Sequence, residues 1–144
     1  MTYYEFVSRP LALRRRIEHK ADDVRLKESI CMKSTAQMQE RVQSSPDNTT
    51  ELSYIRYIEA CNDLERLMAG LEQVQNEVRL FLYANLAPDE ADALEWRYID
   101  DKTPQEIADI HGITYDAARA RLSRGEKKAK KAYNLSQMSQ NVTK

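Results

Sequence analysis

Apolar residues recur in steps of three and four over most of the chain, which is the period of helices with one buried face. From Leu11 to about Met32, the residues Leu13, Ile17, Ala21, Val24 and Cys31 fall on one side. Arg14, Arg15, Arg16, Asp22, Asp23 and Lys27 take the others. Pro10 suits the first turn of this helix. Residues 34–50 are polar, and Ser44-Ser45-Pro46-Asp47-Asn48 signals a loop. A second helix is predicted from Thr49 or Thr50 as cap to about Leu86. Leu64, Leu67, Leu71, Val74, Val78 and Phe81 form a coiled-coil seam along it, and Tyr54, Tyr57 and Cys61 continue the pattern upstream. At ~1.5 Å per residue this helix is on the order of 55 Å long and cannot bury its stripe alone. The first helix folds back on it as an antiparallel hairpin. Being shorter, it leaves part of the seam for a second copy or a partner; the alternative is a purely intramolecular hairpin.

Residues 88–133 read as three short helices with clear punctuation. Pro88, Asp89 and Glu90 open the first, acidic in its first turn as the helix dipole favours, and Ala91, Leu94 and Tyr98 share a face. Asp100-Asp101-Lys102 breaks the pattern. Thr103-Pro104-Gln105-Glu106 is a capping box, followed by Ile107, Ala108 and Ile110 on a helix of barely two turns. Gly112 ends that helix in the left-handed conformation, Ile113 plugs the core and Thr114 caps the next helix. The last helix runs from Tyr115 to about Tyr133, with Ala118, Leu122, Gly125 and Ala129 inward. The tail, 136–144, is polar and expected to be disordered.

Charge adds what periodicity does not show. The 144 residues carry 22 Lys+Arg and 23 Asp+Glu, a net −1 that argues against nucleic acid only when averaged. Residues 51–100 hold four cationic side chains against eleven carboxylates, whereas Arg119 to Lys131 holds seven cationic groups offset by Glu126 alone. Two cysteines, Cys31 and Cys61, have no metal-ligand or disulfide spacing. There is no apolar run long enough to span a membrane, no Gly-rich phosphate loop and no catalytic constellation. Cofactor, metal and catalytic residues are therefore expected to be none, and the protein is expected to be cytoplasmic and no enzyme.

A short helix, a tight glycine turn and a longer basic helix make a helix-turn-helix. In that arrangement side chains near the start of the last helix meet base edges in the major groove. The outward positions there are Tyr115, Asp116, Arg119, Ala120 and Ser123. Arg119 can pair with guanine in bidentate fashion, and Asp116 can accept from a cytosine amine or orient Arg119. Arg121, Arg124, Lys127, Lys128 and Lys131, with the cap hydroxyls of Thr103 and Thr114, are assigned to phosphates. Trp96 is read as packing between this module and the long helix, and His111 as structural. Asp89, Glu90, Asp92 and Glu95 are read as a solvated acidic face. The Tyr3, Tyr4, Phe6 cluster either docks on a partner or caps the hairpin.

The stretch Leu94-Glu-Trp-Arg97-Tyr98, Thr103-Pro-Gln-Glu106-Ile107-Ala108, Gly112-Ile113-Thr114 and Arg121-Leu122-Ser-Arg124-Gly125 resembles region 4 of bacterial sigma factors. That family's base-reading positions fall on Tyr115, Asp116, Arg119 and Ala120. Two departures stand out: Ala118 replaces a larger β-branched residue, and Ala120 replaces a polar reader. The whole layout is similar to ArpU/RinA-like regulators of phage late genes. The resemblance implies a sigma-like transcription regulator that acts on double-stranded promoter DNA, with bacterial RNA polymerase as a candidate further partner; the uncovered seam points to a homodimer. A small-terminase-like packaging protein and a polymerase-binding interaction protein are the alternatives. The expected fold is all-α: a hairpin over 1–86, a three-helix DNA-binding module over 87–135, and the tail.

Overall fold

The helices begin and end where local chemistry stops them. In the computed structural model, five helices run Tyr3–Glu40 (α1), Asn48–Asn85 (α2), Pro88–Tyr98 (α3), Pro104–His111 (α4) and Tyr115–Val142 (α5). Residues 1–40 and 48–142 are described, and among them there is no strand. The loop expected at 44–48 lies outside the described residues as far as 47, and α2 starts at Asn48.

α1 starts eight residues earlier than the apolar periodicity predicts, because Thr2 and Glu5 form a reciprocal capping box. The Thr2 hydroxyl accepts from the Glu5 amide at 3.2 Å, and the Glu5 carboxylate accepts from the Thr2 amide at 2.7 Å. Pro10 therefore lies inside the helix and not in its first turn. Its ring is fully buried, which offsets part of the backbone bond it removes.

The chain divides into two units that cut across the expected boundary at residue 86: Met1–Ala12 with Glu72–Lys144, and Leu13–Leu71. In the first, Tyr3, Val7, Val78, Leu82, Leu94, Ile99, Ala129 and Tyr133 form one core, so the ends of α1 and α2 belong to the same core as α3 and α5. Phe6 stacks on Tyr133 at 5.2 Å and meets Phe81 edge-on at 5.3 Å. The aromatic cluster at the N-terminus is thus a core element, with Tyr4 half exposed beneath the Lys130 ammonium. Val78 is fully buried and Phe81 packs against the same core, which removes both from any seam between copies. Nothing in 133–142 interrupts α5, so its helix continues to Val142 across the described part of the segment expected to be a disordered tail.

The second unit is simpler. Lys20 meets Asp63 at 3.3 Å, and a Cβ on Gly70 would lie 3.8 Å from Leu13, so the two segments run antiparallel. Leu64, Leu67 and Leu71 are half buried. Both cysteines are free.

Candidate nucleic-acid interface

The turn between α4 and α5 is fixed by backbone bonds. Thr103 caps α4, its hydroxyl accepting from the Glu106 amide at 3.2 Å and donating to the Glu106 carboxylate at 3.2 Å. Gly112 adopts φ 65° and ψ 36°, and the Ile113 amide donates to the Ala108 carbonyl at 3.0 Å, a Schellman ending. Ile113 then packs with Ala93, Ile107, Ala108 and Ala118. The Thr114 hydroxyl accepts from the Ala117 amide at 3.2 Å and starts α5. Both cap hydroxyls assigned to phosphates are thus committed to helix ends, although both residues remain exposed.

Tyr115, Asp116, Arg119, Ala120 and Ser123 are all exposed on the first turns of α5. The Arg119 guanidinium lies 5.7 Å from the centre of the Tyr115 ring, a contact that restricts its rotamers while the residue stays exposed. These five side chains form one surface, as the spacing predicts.

The phosphate set divides. Arg124, Lys127 and Lys131 are exposed and form no ion pair among the described residues. Arg121 is half buried and donates to Nδ1 of His111 at 2.9 Å. Its neighbour Trp96 packs edge-on against the same imidazole at 4.4 Å. Trp96 therefore packs within the helix-turn-helix and not on the long helix. Lys128 pairs at 2.9 Å with Glu90, whose side chain is 9 % exposed. Arg121 and Lys128 thus each hold a partner within the fold, although the Lys128 side chain stays 58 % exposed.

The acidic face is only partly solvated: Asp89 is exposed, and the other three carboxylates have partners. Glu90 is buried, the Arg79 guanidinium holds Glu95 at 2.8 Å, and the Tyr83 hydroxyl sits between Asp92 and Glu95, within hydrogen-bond reach of both. Glu126 accepts from Tyr98 at 2.6 Å and from Tyr3 at 3.3 Å. Burial, reinforced by Glu126, pushes both tyrosine hydroxyls well above their ordinary range.

One cationic residue beside this surface escaped the sequence reading. Arg97 is exposed and lines an open cleft with Pro104, Arg119 and Ser123. Its place in the Leu-x-x-Arg-Tyr motif was the available signal; it reads as one polar residue among several until α3 and α5 are seen to face each other.

No helix among the described residues is long and apolar enough to cross a membrane. No curated protein and no solved structure matches the chain. The family comparison does find a match, and it falls on the segment just described. Residues 82–128, from the end of α2 through the turn and into the basic half of α5, match the family Sigma-70, region 4, a helix-turn-helix DNA-binding module.

Proposed function

We propose that this chain is a sequence-specific transcription regulator of the phage or mobile-element type, acting in the cytoplasm on promoter DNA as a sigma-like protein and not as an enzyme. The observation that carries this reading is the exposed surface Tyr115, Asp116, Arg119, Ala120 and Ser123, held on the helix after a Schellman-ended turn. In this reading Arg119 and Asp116 read base edges, while Arg124, Lys127, Lys131 and Arg97 hold phosphates. Bacterial RNA polymerase is the further partner, and two copies place two modules on neighbouring half-sites.

The test is selection from a random duplex library followed by mobility shift. Arg119→Ala is expected to cost ~1–3 kcal/mol on the selected duplex and to flatten discrimination between sequences. Absence of retardation at low salt, with polymerase still captured, would replace this reading with that of a polymerase-binding interaction protein. A particle of eight or more subunits would favour the packaging alternative.

A further inference from the structure

The outward face of α5 carries short side chains along its middle and long ones along its edges. Ala118, Gly125 and Ala129 mark the buried line of the helix. At about 100° per residue, Asp116 and Ala120 each stand within about 20° of the point opposite that line. Tyr115 and Arg119 lie to one side of this crest and Arg124 to the other, and all five residues are exposed. The helix therefore presents a low crest between long flanks.

A low crest decides how deeply the helix can sit. The major groove is about 12 Å wide and about 8.5 Å deep, and a helix with full-length side chains is about 10–12 Å across. With Ala120 at the crest, the backbone can approach the groove floor while Arg119 and Arg124 reach sideways. Chemistry then restricts what lies beneath Ala120. Its methyl neither donates nor accepts, so guanine N7 and O6, or an adenine or cytosine amine, set against it would lose water and gain no partner. The 5-methyl of thymine is the apolar group that base edges present in this groove.

We infer that Ala120 sets sequence preference by packing its methyl on the 5-methyl of a thymine. The inference rests on the DNA-binding reading under Proposed function and deepens it, placing an apolar reader beside the polar ones, Arg119 and Asp116. Helix geometry also fixes where the thymine lies. Ala120 is four residues beyond Asp116, a rise of about 6 Å. Base pairs stack at about 3.4 Å, so the thymine falls within about two steps of the pair that Asp116 reads.

Mobility shift of the full chain on a duplex selected from a random library tests the inference. Each thymine of the selected site is replaced in turn by deoxyuridine, which removes the 5-methyl and leaves base pairing intact. One replacement is expected to weaken binding of the wild type about fourfold, the loss of one buried methyl group. In Ala120→Gly the two duplexes should bind alike, to within about 1.5-fold. Ala120→Ser, which costs the helix less than glycine does, should also bring the ratio under about twofold. Each ratio compares two duplexes on one protein, so a change in folded fraction cancels. A wild type indifferent to every replacement, or a sensitivity that persists in both variants, overturns the inference and leaves the DNA-binding reading standing. Absence of retardation on any duplex at low salt overturns both.

Discussion

Lys128→Ala is expected to act on stability and not on DNA contact. The Glu90 carboxylate is 9 % exposed, one of its oxygens meets Lys128 at 2.9 Å, and the other is buried with no partner among the described residues. Deleting the lysine leaves a buried charge uncompensated. Such losses cost about 3–5 kcal/mol in a fully buried pair. Here the lysine side chain is 58 % exposed and water can replace part of it, so about 2 kcal/mol is the working figure. Glu90→Gln keeps the volume and removes the charge. In that background Lys128→Ala should cost less than about 0.5 kcal/mol, a coupling of ~1.5 kcal/mol in a double-mutant cycle. The chain has a single tryptophan, Trp96, packed in the same unit, so urea unfolding followed by its fluorescence reads that unit directly. A loss under about 0.5 kcal/mol for the single variant, or an equal loss in both backgrounds, would refute the pairing as the reason Lys128 is there.

Other expectations follow from the same geometry. Lys127→Ala and Lys131→Ala should each reduce the slope of log K against log salt by about 0.9, while Lys128→Ala, compared at equal folded fraction, should leave it unchanged; titration over a salt series measures both. Gly112→Ala should cost about 1 kcal/mol in the Trp96-monitored transition, because φ is 65° and an added Cβ meets nothing within 4 Å, leaving only the backbone term. Above pH ~10 the unfolded chain ionises its tyrosines, whereas Tyr3 and Tyr98 remain protonated in the fold because burial and Glu126 raise them. Their contribution is complete below pH ~10 and is lost as pH rises beyond it, so Tyr3→Phe with Tyr98→Phe should flatten the alkaline fall in urea midpoint.

The punctuated part of the chain was legible because its signals are local. Thr103 with Glu106, Gly112 followed by Ile113, and Thr114 each act within five residues, and all three behave as their types dictate. The Thr2–Glu5 capping box is just as local, yet a proline at position 10 pulled the predicted start toward itself. What could not be read was partnership at long range. Tyr3 meets Glu126 across more than a hundred residues, and Lys128 meets Glu90 across 38. No periodicity distinguishes a lysine that faces water from one that faces a buried carboxylate on the neighbouring helix. The same blindness made the Asp92 and Glu95 stripe look solvated when Tyr83 and Arg79 cover it.

That long-range pairing changes how firmly the protein can hold DNA. Of the seven cationic side chains between Arg119 and Lys131, Arg121 serves His111, Lys128 serves Glu90, and Lys130 lies over Tyr4. Arg119 faces the bases on the proposed reading, which leaves Arg124, Lys127 and Lys131 on α5 for phosphates, with Arg97 beside them. Four contacts correspond to a salt slope of about −3.6, well short of the six to ten that give strong binding. On the proposed reading one module therefore binds weakly at physiological salt. A second module on another copy would, on the same reading, double the contacts and make the second engagement intramolecular. Useful occupancy on that reading then rests on a second anchor, another copy of the chain or RNA polymerase.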